Sequence, residues 1–296
     1  RGMRHAERLD EPLRTRRLLE LLDLALSARR PDRPDEVAAQ VEGLAEKALD
    51  LGALEHARLG FHMLGYLSWE SGEWADARRH MMQAEAVSRG ASERERVVGM
   101  AEAARCLVMI ERDLGQAQAL AAEAAVRARQ LGLELPAMLD ALGMLKLHQG
   151  KVEEAEGELE RARTLAHASR DRHDEFHALE HLVMLELQRG DHRSALARAQ
   201  QLAELGARFR EGSEAPFARA LVALARAALG EGAADGALDA EIEALTIADA
   251  KHRLAYVLTR AAWTDAEAGR LERARERAER ALGVAERLAR PPERVL

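Results

Sequence analysis

Apolar and polar residues follow the 3.6-residue period of amphipathic α-helices along most of the chain, and the pattern pauses at regular intervals. Glycine or proline stands at most of the pauses, as expected of residues that end or begin helices. The pattern predicts fourteen helices in seven antiparallel pairs. The predicted pairs lie near residues 13–29 and 35–51, 53–71 and 73–89, 93–111 and 115–131, 135–149 and 151–169, 173–189 and 191–210, 214–229 and 235–249, and 252–268 and 271–289.

A glycine recurs within this pattern at a nearly fixed interval. The spacings are 78, 40, 40 and 39 residues, and the glycines are Gly72, Gly150, Gly190, Gly230 and Gly269. Arg112-Asp113 fills the one missing position. A glycine just past a helix end can adopt the left-handed conformation that satisfies the last carbonyls, and Asp191 can then cap the helix after Gly190. A period near 40 residues predicts one helical unit repeated as a solenoid.

Two further sets of glycines concern the turns. Gly52, Gly90 and Gly132 mark turns between successive pairs. Residues 230–236 hold three glycines and lengthen one turn within a pair. We therefore expect 230–236 to be the weakest or most bent point of the array.

Composition and charge favour closely packed helices and argue against nucleic-acid binding. Apolar residues make up 47% of the chain but aromatics only 3%, so alanine and leucine must form most of the core. The chain has 44 Lys and Arg against 51 Asp and Glu, a net charge of −7, and the two signs alternate along the helices. A nucleic-acid-binding protein would gather a basic excess on one face. We expect no direct nucleic-acid partner.

Cysteine content and hydropathy predict a cytoplasmic location. Cys106 is the only cysteine, so neither an internal disulfide nor a cysteine zinc cluster can form. No apolar stretch approaches the ~18–20 residues of a membrane span, and the start has no signal-peptide pattern. We expect no membrane partner. Arg1-Gly2-Met3 resembles a tag remnant, and residues 291–296 lack a polar capping helix, so we expect a fragment of a longer protein.

The small residues resemble the tetratricopeptide repeat (TPR) family over about residues 53–289. Leu64-Gly65, Gly72, Trp74, Ala77 and Ala84 follow its pattern, and Leu142-Gly143, Gly150, Ala155, Leu159 and Ala162 repeat it. The resemblance implies an all-α, right-handed α-solenoid of about seven antiparallel helix pairs, a TPR-like superhelix in which Trp74 is buried. The period near 40 exceeds the ~34 residues of the family. Such long repeats are similar to the sensor arrays of bacterial signal-transduction ATPases and of LuxR-type, maltose-regulator-like activators.

The predicted organisation follows from these patterns. Residues 1–12 are a tag remnant or disordered lead, 13–52 an N-terminal helix pair, 53–289 a TPR-like array of six pairs, and 290–296 a tail.

The resemblance also implies a ligand groove, because the first helix of each TPR pair lines the concave surface. Five of the nine aromatics fall at the implied positions, and aromatics and methionines favour recognition. The predicted groove residues are His62, Tyr66, Trp69, Glu70, Glu102, Met109, Asp140, Met144, His148, His177, Glu180, Met184, Gln188, Phe217, Tyr256 and Trp263.

The sequence contains no P-loop, no Gly-x-Ser-x-Gly and no Gly-x-Gly-x-x-Gly, so we predict no enzyme activity and no cofactor. One string, residues 177–181 (HALEH), matches the inverted zinc-peptidase motif, and His173 precedes it by one helical turn. His173, His177 and His181 are a weak metal candidate with Glu180 as base. Such strings arise readily in Ala/Glu/His/Leu-rich helices, which favours ordinary solvated or groove-lining histidines over a metal-dependent hydrolase.

The leading functional hypothesis is a scaffold that binds a peptide, a protein segment or a small effector in its concave groove. It would be the sensor or interaction region of a larger bacterial cytosolic signalling or transcriptional regulator, with the output or ATPase domain elsewhere in that protein. The alternative is a purely structural adaptor or homo-oligomerisation scaffold.

Overall fold

The computed structural model describes residues 34–209, 212–231 and 234–288, and these residues form thirteen α-helices and no β-strand. None of these helices is both long and apolar enough to cross a bilayer. The fold is an all-α helical repeat, as predicted. The helices are α1 Pro34–Asp50, α2 Leu54–Glu70, α3 Trp74–Ser88, α4 Glu93–Met109, α5 Leu114–Leu131, α6 Pro136–His148, α7 Val152–Ser169, α8 Arg172–Arg189, α9 His192–Gly206, α10 Glu214–Ala228, α11 Ala234–Ile247, α12 Lys251–Glu267 and α13 Leu271–Leu288.

The observed helix bounds follow the predicted ones closely. The largest difference is at the end of α9, predicted at residue 210 and observed at Gly206. Glycine has a low helix propensity, which favours an earlier end. The predicted first helix, near 13–29, and the predicted lead and tail lie outside the described residues.

The chain forms two compact units, residues 1–69 with 73–138 and residues 70–72 with 139–296. In the first unit, one apolar cluster joins α1, α2 and α3 around the fully buried Phe61. In the second, a larger cluster runs from α8 to α13 and includes Phe176, Leu202 and Leu221. Alanines supply many of the buried positions, so the helices can approach closely.

The recurring glycines take the left-handed conformation that the sequence predicts. Gly190, for example, has φ 78° and its position caps α8 by donating to the carbonyls of Glu186 and Leu187. At the missing glycine, Asp113 itself is left-handed, with φ 50°, immediately before α5. The predicted cap is also present, because the Asp191 side chain accepts a hydrogen bond from the Ser194 backbone N–H at 3.1 Å.

The other glycine turns are less uniform. Gly52 and Gly132 have positive φ, whereas Gly90 does not. In the turn after α10, residues 232 and 233 lie outside the described residues, so the predicted weak point stays a prediction. Its extra length shifts the register of α11. The alanine expected to follow this turn, Ala237, is exposed, and Leu238 takes the buried position.

Trp74 corrects one expectation from the TPR pattern. Its side chain is half-buried, not fully buried. The Arg112 guanidinium lies over the indole, 4.8 Å from the ring centroid, and covers it by a cation–π contact. The residue beside the left-handed Asp113 therefore shields the tryptophan from one side.

The close approach of α6 and α7 at Gly143 gives a prediction. A Cβ added there would lie 2.7 Å from Leu159 Cγ and 3.3 Å from the Ala155 carbonyl oxygen. We expect Gly143→Ala to lower the free energy of unfolding by about 1–3 kcal/mol through overpacking, less about 0.5–1 kcal/mol gained in helix propensity. Urea denaturation followed by circular dichroism measures it.

The matched control is Gly157 on α7, where an added Cβ meets nothing within 4 Å. Gly157→Ala should stabilise the protein by about 0.5–1 kcal/mol. Equal stabilisation by both substitutions would show that the helices do not approach as closely as described.

A buried ion cluster joins α11, α12 and α13. Asp265 is fully buried, and its carboxylate accepts from Arg270 Nε and from Arg277 Nη1, each at 2.7 Å. Arg277, itself 4% exposed, also donates to Asp239 at 2.6 Å. These residues hold the last helix to its neighbours.

Candidate functional site

The predicted groove residues of the first unit include a charged group on α2 and α4. His62 Nδ1 lies 3.2 Å from Glu102 Oε2. Arg58, which the sequence analysis did not select, donates to Glu102 at 2.6 Å and to Glu95 at 2.7 Å. Burial by itself would raise the pKa of Glu102, but His62 and Arg58 lower it to about 2. Glu102 is therefore an ionised, fully engaged carboxylate at neutral pH.

Tyr66 and Trp69 form an aromatic pair one turn further along α2. Their ring centroids are 5.7 Å apart at an angle of 34°. Tyr66 is half-buried, but Trp69 is only 7% exposed, so little of its indole is open to a ligand. The predicted neighbours Glu70 and Met109 are half-buried. The aromatic pair is better placed to support the surface than to form it.

In the second unit, predicted residues of α6 and α8 meet as a buried polar cluster. His177 and Glu180 are 1% and 4% exposed, and His177 Nδ1 lies 3.4 Å from Glu180 Oε2. Asp140 Oδ1 lies 2.7 Å from Nδ1 of His181. Burial would raise the pKa of Glu180, but the Arg253 guanidinium and His177 lower it to about 2.

Arg253 on α12 is the hub of this cluster, although the sequence analysis missed it. Its guanidinium donates to Ser213 Oγ at 2.6 Å and to Glu180 Oε2 at 3.3 Å. It also lies 5.4 Å from the ring centroid of Phe217. Phe217, predicted to line the groove, is 1% exposed and belongs to the core, so a ligand does not reach it. Tyr256 is half-buried, and burial raises the pKa of its hydroxyl to about 12.

Gln188 and Trp263, two residues predicted for the groove, line one pocket with a volume of about 310 Å³. The pocket lies where the C-terminal turns of α8, α10 and α12 meet. Trp263 is half exposed, which is unusual for so large a side chain. Arg260 lies one turn before it and donates to the Leu187 carbonyl oxygen. The pocket therefore combines an open indole with a guanidinium.

The other predicted groove residues lie outside these groups. Met144 and Met184 are half-buried, and His148 is exposed at the end of α6. None of the three lines the pocket.

The histidine string does not assemble a metal site in the described residues. His173 Nε2 lies 3.2 Å from His177 Nε2, and the rings of His177 and His181 are stacked with centroids 6.4 Å apart. His181 is engaged with Asp140. No group of three or more His, Cys, Asp or Glu in the described part of the chain has a geometry that could hold a metal ion.

The arginines that sequence reasoning missed share a signal with the residues that it found. On α12, Arg253, Tyr256, Arg260, Trp263 and Glu267 follow one another at spacings of three and four residues. This spacing places them on one face of the helix. Extending the predicted positions along that stripe would have identified Arg253 and Arg260.

No family model matches the sequence, and no curated protein matches it. Solved structures do match. A Rap protein complexed with Competence and Sporulation Factor has a TM-score of 0.67 and 14% identity, with 96% of this chain and 90% of that chain covered. NprR in complex with its cognate peptide NprX has a TM-score of 0.55 and 11% identity, with 92% and 80% covered. The Cut9 complex of the APC/C, Cut9-Hcn1, has a TM-score of 0.61 and 15% identity, with 100% and 51% covered. At these identities the likeness establishes the TPR-type helical repeat fold of the chain.

Proposed function

We propose that this chain is a peptide-binding scaffold and that the pocket at Trp263 is its principal contact with the ligand. The observation that carries the proposal is the half-exposed indole of Trp263 in a concave site of about 310 Å³. Binding sites join apolar walls to a few polar groups, and this pocket offers Leu224 and Ala228 beside Gln188 and Arg260. Tryptophan and arginine are also the residues that most often dominate binding energy.

The proteins with a similar fold support a peptide as the ligand. One is described in complex with its cognate peptide, and another in complex with Competence and Sporulation Factor. NprR from B. thuringiensis is described as a quorum sensor. These descriptions apply to those proteins, and the proposal extends the peptide ligand to this chain.

A regulatory role is the finer part of the proposal. The chain would act as the sensor region of a larger cytosolic signalling or transcriptional regulator, without catalytic activity of its own. A ligand that binds one conformation of the helical array better than another would shift the population toward it. An output domain elsewhere in the protein would respond to that shift.

The test is to select ligands from a random peptide library on the whole chain and to measure their affinity by calorimetry. We expect Trp263→Ala to weaken the selected peptides by about 30-fold or more, the effect of removing a dominant contact. Because the indole is half exposed, the fold should tolerate the change, which circular dichroism checks.

Leu271 on α13 gives a matched control, since it is an exposed apolar residue (68%) that does not line the pocket. Leu271→Ala should leave the affinity unchanged. Equal affinity in the two variants would contradict the pocket assignment. A dimer that dissociates on Trp263→Ala, seen by light scattering, would instead make the pocket a self-association surface.

A further inference from the structure

We infer that the pocket selects a peptide carboxylate, held by Arg260, next to an apolar side chain that packs on Trp263. The inference rests on the proposed function and adds the chemistry of the ligand. It depends on the charge state of the pocket, which the shape of the pocket does not specify.

Arg260 is a half-buried guanidinium without a countercharge. One of its nitrogens donates to the Leu187 carbonyl oxygen at the end of α8. Among the described residues, no carboxylate forms an ion pair with it, and the other N–H groups of its fork remain available. A planar guanidinium matches the two oxygens of a carboxylate.

The second arginine of the pocket differs in this respect. Arg189 donates to Glu156 Oε2 at 2.6 Å and lies 3.8 Å from Glu153. Its charge is already balanced by neighbouring carboxylates. Arg260 is therefore the group of this pair that can accept an anion without breaking an existing ion pair.

The balance of charge favours a monoanion. Glu267 also lines the pocket, two helical turns from Arg260 on α12, and makes no ion pair with it. One uncompensated guanidinium matches the single charge of a carboxylate better than the double charge of a phosphate monoester. Glu267 also disfavours a more negative ligand.

The apolar part of the ligand follows from the walls. Trp263, Leu224 and Ala228 form an apolar side of the pocket. A volume of about 310 Å³ is near the lower limit of ligand sites, ~300–1,000 Å³. The pocket therefore admits an anchoring group of one or two residues, with the rest of a peptide outside it.

The test uses three small probes on the whole chain: N-acetyl-Leu-Leu with a free carboxylate, its C-terminal amide, and N-acetyl-Leu-Glu-amide. The reporter is the indole N–H signal of Trp263 in ¹⁵N-labelled protein. The chain has three tryptophans, and Trp263→Phe assigns the signal. We expect the carboxylate probes to bind about tenfold more tightly than the amide, the effect of one charge-assisted hydrogen bond. The tighter of the two carboxylate probes distinguishes a chain terminus from an acidic side chain.

Arg260→Gln completes a thermodynamic cycle, because glutamine still donates a hydrogen bond to the Leu187 carbonyl but carries no charge. The preference for carboxylate over amide should fall to about one in this variant. The control Arg280→Gln removes the same charge from an exposed position outside the pocket and should keep the preference.

The possible failures are separate. If all three probes shift Trp263 with equal affinity, or if Arg260→Gln keeps the preference, the carboxylate inference is overturned while peptide binding at the pocket stands. If no probe shifts Trp263 at millimolar concentration, both the inference and the pocket assignment fall.

Discussion

Replacing Asp265 with alanine is expected to lower the free energy of unfolding by about 3–5 kcal/mol, as for a broken buried ion pair. Asp265 is fully buried and accepts from Arg270 and Arg277, each at 2.7 Å. Alanine leaves the buried Arg277 with Asp239 alone, and Asp239 is mostly exposed. Because a guanidinium stays charged, it cannot relieve this cost by losing its proton. Urea denaturation followed by circular dichroism gives the free energy.

Asp239 provides the comparison, since it binds the same arginine from the surface. Asp239→Ala leaves the Arg277–Asp265 pair intact and should cost no more than about 1 kcal/mol. If the two variants lose equal stability, burial does not decide the strength of this cluster.

Replacing Arg253 with alanine should produce a loss of similar size, about 3–5 kcal/mol. Two carboxylates, those of Glu180 and Glu214, would lose their nearest cation while 4% and 6% exposed. The guanidinium also fills the space near the Phe176 ring, 5.5 Å from its centroid, and alanine leaves that space empty. The same denaturation experiment measures the loss.

The double variant Arg253→Ala, Glu180→Gln tests the electrostatic part, because it removes one of the stranded charges. It should be more stable than Arg253→Ala alone. The exposed pair of Arg219 with Glu241 is the control, where Arg219→Ala should cost less than about 1 kcal/mol. A double variant no more stable than the single one would assign the loss to packing.

The helices could be predicted from the sequence because their signals are local. Left-handed glycines such as Gly190 and caps such as Asp191 act within a few residues of a helix end. The amphipathic period then identifies the helices between them. The same local signals carry no information on what lies opposite a helix face.

The candidate site was predicted less well for that reason. Arg58 meets Glu102 across 44 residues, and Arg253 meets Glu180 across 73. Transferred TPR positions selected a helix face correctly for Gln188 and Trp263, which line the pocket. They also selected Phe217, which is buried because the neighbouring helices cover it. Whether a polar side chain is buried depends on the neighbouring pairs, and a single helical period does not specify it.

The left-handed Asp113 has a consequence for recognising such proteins from sequence. It holds the backbone conformation of the glycine turns without a glycine, at an interval of 40 to 41 residues from its neighbours Gly72 and, allowing for one shorter unit, Gly150. Aspartate and asparagine are the side chains that tolerate this conformation best. A repeat profile built on glycine would miss the unit and report an interrupted array. A profile that scores the turn by its conformational preference would count one continuous series.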